Sequence, residues 1–246
     1  MSWQANDKIT LHHSNEFEQL YIKLRGFEKR IYTDEEVAWL PEIAKEHIHW
    51  KEWEARKISC KKLLRYLRDK NKPLKILEVG CGNGWLSYQL SQIPFSNVTG
   101  LDMNLLELQQ AERVFAAIPN LSFVYGDINS DILRNNKFDI VVFAASIQYF
   151  PSLPGIIKSV LGRLTQNGEI HIIDSHFYAE EQLMEAQQRS YEYFHEKGFD
   201  KMQQYYFHHS LKDLEPFRHW IFYDPGSMIN KILKKNFPFH WICIKK

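Results

Sequence analysis

The chain has 246 residues, of which 44% are hydrophobic and 25% charged, and its 31 basic against 30 acidic residues leave a formal net charge of +1. That length suits one large α/β domain with a modest extension rather than two independent domains. The charge balance excludes the basic excess with which a dedicated nucleic-acid binder releases counterions from phosphates, and the longest apolar run, Ile140–Ile147, is too short to cross a bilayer. Cys60, Cys81 and Cys243 lie far apart with no CxxC pair, which reads as a reducing compartment. The first residues, MSWQANDKIT, hold no apolar signal core, so a cytoplasmic location is expected.

Up to about Lys72 the pattern is helical and rich in charge, and residues 1–72 read as a helical extension or cap. Trp50, Trp53, Cys60, Leu63, Leu64 and Leu67 recur at helical spacing and form one apolar stripe. Pro73 disfavours helical geometry in its predecessor, so this helix should stop near Asn71. From residue 73 onward short β-rich runs alternate with helical segments. Strands are predicted at Lys75–Val79, Asn97–Leu101, Leu121–Val124, Phe138–Phe143 and Glu169–Ile173, with helices near Trp85–Gln92, Leu105–Ala116 and Leu153–Leu164. The strands are mostly continuous apolar runs, as expected when helices cover both faces of a parallel sheet. Alternating β and α with right-handed crossovers predicts an α/β fold built on a doubly wound, mostly parallel sheet. Trp220–Tyr223 and Phe239–Ile244, joined by a helix at Ser227–Lys235, would add an antiparallel pair and bring the sheet to seven strands. The five lysines between Lys231 and Lys246 read as solvation of that helix and strand end.

The strongest local signal is ILEVGCGNG, Ile76 to Gly84, in which a buried strand runs into Gly80, Gly82 and Gly84 and then into a helix. Glycines at such a turn let the backbone approach a ligand closely, and ligands of open α/β sheets sit outside the carboxyl ends of the strands. The dinucleotide fingerprint G-x-G-x-x-G fails in both registers, at Trp85 and at Ser87, and no GK[ST] phosphate loop is present. A ligand without pyrophosphate is therefore favoured, and a dehydrogenase is not. Glu78, just before the glycines, would repel phosphates and suit a cationic amine.

From Lys75 to Asp174 the sequence resembles the class I S-adenosylmethionine-dependent methyltransferases, whose first motif is an acid followed by a G-x-G-x-G turn. Glu78, Gly80, Gly82 and Gly84 match it, and further landmarks fall in register. The resemblance implies a Rossmann-like methyltransferase fold with S-adenosylmethionine as the methyl donor. It implies that Asp102 holds the ribose hydroxyls, that Met103 packs on the adenine, that Asp127 and Ile128 contact the adenine's amino group and ring, and that the fourth strand's exit at Ala144, Ala145 and Ser146 passes the methionine portion. The [DN]PP[YF] sequence of many amino-methyltransferases acting on bases or glutamine is absent after that strand.

Asp174 and His176 follow the fifth strand and would face the cleft, where either could serve as a general base. Cys81 looks exposed to chemistry by position, but its neighbours assign that site to backbone. His12–His13 and His208–His209 lack metal-ligand spacing, and no metal is expected. Methyl transfer is an in-line displacement in which alignment and exclusion of water do most of the work, so the donor site is the legible half. Residues 177–217 are expected to fold over the cleft as a lid and, with Tyr149, Phe177, Tyr178, Tyr205, Tyr206 and Phe207 as candidate lining, to form a mostly apolar pocket for a small hydroxyl- or amine-bearing acceptor. A non-catalytic subunit that binds S-adenosylmethionine to support a partner is the competing reading.

Overall fold

A computed structural model describes residues 8–228, 230 and 237–246, with side chains from Glu16 onward. Three helices come first: α1 (Lys8–Phe27), α2 (Asp34–Trp39) and α3 (Trp50–Arg68). The short α2 is set by a capping box, in which Thr33 Oγ1 accepts from the Glu36 amide and Glu36 returns a carboxylate oxygen to the Thr33 amide. The stripe on α3 is buried as Trp53, Cys60, Leu63, Leu64 and Leu67. The helix stops three residues short of Asn71, which turns left-handed at φ 45° ahead of Pro73.

The alternating part follows as β1 (Leu74–Val79), α4 (Trp85–Ser91), β2 (Ser96–Asp102), α5 (Leu105–Phe115), β3 (Leu121–Tyr125), β4 (Phe138–Ala144), α6 (Leu153–Leu161) and β5 (Leu164–Ser175). Then come β6 (Phe177–Tyr178), α7 (Leu183–Glu196), β7 (His209–Ser210), β8 (His219–Tyr223) and β9 (His240–Lys245). β1–β5, β8 and β9 form one seven-stranded sheet in the order β3-β2-β1-β4-β5-β9-β8, and β6 and β7 pair separately. The first five strands are parallel, and β9 runs antiparallel between β5 and β8. Most of the range Ser227–Lys235 lies outside the described residues. The helix predicted at Leu153–Leu164, α6, ends at Leu161, because Leu164 already pairs with Phe138 and residues up to Gly168 bulge out before Glu169 pairs with Ile140.

Side chains on the parallel strands alternate between two apolar layers. Leu77, Val141, Phe143, Ile170 and Ile172 meet α6 on one face, while Ile76, Val98, Ile140 and Val142 meet α2–α5 on the other. A third, smaller cluster sits apart from the sheet, with Leu24 of α1 packed on Phe194 of α7 and on Met202. Strand order reverses between β1 and β4, and the crevice this leaves at their carboxyl ends is where an open α/β sheet takes a ligand.

Candidate active site

The turn after β1 is held from both sides. Gly80 and Cys81 donate to the Leu101 carbonyl, and Ser146 Oγ donates to the Val79 carbonyl at 2.6 Å. Gly80, at φ +75°, lies so close to Ser146 that a Cβ would stand 2.5 Å from the serine Cβ. Gly84, at φ +76°, starts α4 against the Phe123 ring, where a Cβ would stand 2.6 Å from Cζ and 2.8 Å from the Ala111 methyl. Gly84→Ala should therefore cost about 2–5 kcal/mol from left-handed strain plus overpacking. That is a melting temperature lower by roughly 5 °C or more, and a wild-type melting curve would contradict this packing.

Glu78 lies beneath the turn, 2% exposed, and accepts from Ser87 Oγ at 2.5 Å. Burial, opposed by the Ser87 bond and reinforced by Asp102, pushes its carboxyl up to about 8. Above the turn lies a cavity of about 460 Å³ that runs from Gly80 and Gly82 past the ends of β4 and β5 to α7. Its cover comes from both ends of the chain. α1 supplies Tyr21, Leu24 and Arg25, α3 supplies Glu52, Trp53 and Arg56, and α7 supplies Arg189, Tyr193 and Phe194. The walls are more charged than the apolar pocket expected of residues 177–217, because α1 and α3 turn ionic side chains inward. Arg30 bridges Glu28 at 3.1 Å and Glu52 at 2.6 Å, and Arg56 meets Glu52 at 2.7 Å while stacking over Trp53. Arg25 is half-buried with its buried Nε lacking a hydrogen-bond partner, and it forms an ion pair with Glu107 at 3.9 Å. Burial raises Glu107 to about 7 against the pull of Arg25.

Glu78, Gly80, Gly82, Ala144, Asp174 and His176 all line this cavity. Gly84, Asp102, Met103, Asp127 and Ile128 are not among its lining residues. Asp102 is turned onto backbone: Oδ2 accepts from the Gly82 amide at 2.7 Å and Oδ1 from the Asn104 amide at 2.8 Å. Asp127 caps the following turn through the Asn129 amide at 2.8 Å, and Ile128 is buried with its carbonyl held by Arg163. Met103 is half-buried beside Asp102. Of the aromatic candidates, Tyr149, Tyr178, Tyr206 and Phe207 face the cavity, whereas Phe177 is core and Tyr205 packs on Phe17. Cys81 is buried and its thiol is raised well above the ordinary range by burial, which leaves it inert.

The end of β5 departs from regular strand. Between Ile172↔Ile242 and Ser175↔His240 it carries one residue more than β9, and Asp174 in this bulge is left-handed at φ +54°. Its Oδ1 accepts from Ser59 Oγ of α3 at 2.6 Å, while Oδ2 is buried without a hydrogen-bond partner. Burial, eased by Ser59, raises the carboxyl to about 6. His176 is more open, its ring between Tyr178 and Phe239, and burial with Arg189 nearby lowers its pKa.

The residues from α1 and α3 are the part that sequence reading missed. Phe17, Tyr21, Leu24 and Glu28 fall at helical spacing on α1, a stripe that would have marked this helix as a wall. Outside the cavity, Glu169, His171 and Cys243 lie close enough to hold a metal, but their lone pairs are committed. Glu169 meets Lys70 at 2.8 Å, Lys245 at 3.4 Å and the Tyr66 hydroxyl, and Trp241 Nε1 donates to His171 Nδ1. That leaves His171 Nε2–H donating to Glu169, a neutral and satisfied imidazole.

Residues 70–220 match the family model described as a methyltransferase domain. With the seven-stranded fold and the glycine turn after β1, this defines a class I enzyme fold, and the chain belongs to the S-adenosylmethionine-dependent methyltransferase family. Among curated relatives it is 28% identical over 103 residues to the malonyl-(acyl-carrier protein) O-methyltransferase of Halalkalibacterium halodurans, covering 40% of this chain and 38% of that protein. It is 30% identical over 101 residues to the phthiotriol/phenolphthiotriol dimycocerosates methyltransferase of Mycobacterium leprae, covering 41% and 37%. The match thus spans under two fifths of either relative. Solved structures share the fold more completely. The plantazolicin methyltransferase BpumL with a monoazolic analogue and SAH aligns at TM-score 0.57 and 17% identity, over 97% of this chain and 99% of that one. The magnesium protoporphyrin IX methyltransferase of Synechocystis PCC 6803 with bound SAM aligns at 0.57 and 14%, over the whole of both. No helix among the described residues is long and apolar enough to cross a membrane.

Proposed function

We propose that this chain transfers the methyl group of S-adenosylmethionine to a hydroxyl or amine of a small molecule. The observation that carries the reading is that one cavity spans both the glycine turn and the ends of β4 and β5. Its volume suits the reacting end of a donor beside a small acceptor. The residues present fit the donor. The Gly80–Gly82 backbone offers close approach, Asp102 stands at the neighbouring strand end for the ribose, and Glu78 under the turn suits a cationic amine. Asp127, Ile128 and Met103 lie on the β2–β3 side, where the adenine belongs in this reading. When bound, the donor supplies a methyl group already activated by its sulfonium. The chain's own residues align the acceptor, exclude water and set the charge around it.

In this reading residues 1–72 are a cap, residues 73–246 the donor-binding unit, and 177–217 the lid. Asp174 or His176 faces the acceptor. Labelled donor should put its methyl group into small extractable products and none into DNA, RNA or bulk protein. Label in a polymer would overturn the small-acceptor reading. Tight donor binding with no transfer to a broad panel of small acceptors would favour the non-catalytic subunit.

A further inference from the structure

We propose that the acceptor is an amine methylated on nitrogen, and that Asp174 is the carboxylate its nitrogen faces. The inference rests on the methyl-transfer reading above and names the substrate class of that site. Asp174 is built for a ligand rather than for the fold. A bulge with a left-handed, non-glycine residue costs about 1–3 kcal/mol, and here it aims a carboxylate at the cavity with one oxygen fixed by Ser59 and the other unpartnered. A buried anion without its second partner is expensive, and a hydrogen-bond donor brought into the cavity would complete it.

The position assigns it to the acceptor. In sheet order the donor's landmarks run from Asp127 after β3, through Asp102 of β2 and Gly80 after β1, to Ala144 of β4. Asp174 is one strand further, on β5, about 10 Å from the β1 end at the usual strand spacing. Arg56 eases the charge from a distance and Glu52 opposes it, and no neighbouring group gives the second oxygen a hydrogen bond. Arg56 of α3 is engaged by Glu52, Cys60 of α3 is a neutral thiol raised to about 12 by burial and Asp174, and His176 on the same segment is turned to Tyr178 and Phe239.

Nitrogen chemistry needs what this site has. An alkylamine arrives mainly as its ammonium and releases one proton to solvent, and the neutral amine then donates an N–H to the free Asp174 oxygen while its lone pair forms the N–C bond. The methyl's bond to sulfur breaks, and that electron pair stays on sulfur as a thioether. The positive charge thereby passes from sulfur to nitrogen, beside a fixed carboxylate, and the product leaves as an N-methylammonium with all its protons. No strong base is required. A hydroxyl acceptor would have to lose its proton to a carboxylate far too weak to take it. The rings of Tyr149, Tyr178, Phe194, Tyr206 and Phe239 on the remaining walls suit both an aryl group and the cation formed.

The test pairs benzylamine and phenethylamine with benzyl and phenethyl alcohol, titrated into the enzyme–SAH complex by calorimetry, with methyl transfer measured in parallel. The amines should bind at least about tenfold more tightly than the alcohols and alone be methylated, and Asp174→Asn should lose that tenfold preference. Its SAH affinity should stay within about threefold of wild type, and its melting temperature should be no lower, since an unpartnered charge is removed. Equal binding of alcohols, unchanged amine binding in the variant, or no amine binding by a complex that holds SAH would each overturn the proposal. A tenfold loss of SAH affinity in Asp174→Asn would also overturn it, by placing the carboxylate on the donor. Failure of the wild type to bind SAH at all would instead remove the methyltransferase reading.

Discussion

Asp102→Ala is expected to weaken SAH binding by roughly 100-fold. Two charge-assisted hydrogen bonds disappear at once, to the Gly82 amide at 2.7 Å and to the Asn104 amide at 2.8 Å, each worth about 1.5–3 kcal/mol. The first pins the glycine turn and the second pins the start of α5, where Asn104 in turn caps the helix through the Glu107 amide. In the proposed reading the same carboxylate also faces the ribose hydroxyls, so the turn's shape and the donor's contact would fall together. Asp102→Asn should be intermediate, because an amide oxygen replaces only one of the two acceptors. Calorimetry with SAH on the folded variants checks this, and an unchanged dissociation constant for Asp102→Ala would exclude the residue from the donor site.

Glu78→Gln should stabilise the ligand-free protein at high pH and make almost no difference at low pH. Burial holds the folded carboxyl at about 8, whereas an unfolded glutamate titrates near 4.3. Between these values the unfolded chain sheds a proton that the folded chain keeps. Stability therefore falls as pH rises through this window, and the loss levels off above about pH 8. At about 1.36 kcal/mol per unit the wild type forfeits about 3–5 kcal/mol by pH 9, and a glutamine, which does not titrate, forfeits none. Urea unfolding of both proteins at pH 5 and pH 9 measures the difference directly. A stability gap equal at the two pH values would show that Glu78 ionises freely in the folded chain. The charge is unfavourable to the empty fold and useful only opposite a cation, which is what the proposed donor's amine provides.

The sheet was legible in the sequence because a parallel strand buried on both faces is written as an unbroken apolar run. All five such runs became β1–β5, in error by a residue or two at most ends. The glycine turn was legible for a related reason: three positive-φ positions within five residues admit almost no other side chain. β5 was the exception, predicted as Glu169–Ile173 but running from Leu164 to Ser175. Its first residues, Thr165 to Gly168, form a polar bulge that carries no strand pattern, and the Asp174 bulge follows from its pairing with β9, seventy residues away in sequence. The charged wall was harder still. Arg25 and Arg56 on amphipathic helices, and Arg30 in the connection after α1, are ordinary surface residues until α1 and α3 are laid across the crevice. Only the tertiary arrangement turns a solvated face into an interior one, and no local periodicity records that.

The cover joins stretches of chain that are remote from one another. Lys201 meets Glu16 across 185 residues, Tyr205 reaches the same glutamate across 189, and Phe17 packs against both Tyr149 and Tyr205. The sheet from β1 to β5, by contrast, is closed by crossovers of a few tens of residues. Loop-closure entropy rises with the length of chain enclosed, and contacts of such wide separation are made once nearer ones have shortened the effective loop. α1 precedes the sheet in sequence, yet it has nothing to cover until α7 and the turn at Asp200–Tyr205 have been made and the sheet lies beneath them. A chain whose sheet has formed while α1 is still undocked holds a finished glycine turn under an uncovered crevice, so the roof of the site is its last part to be assembled.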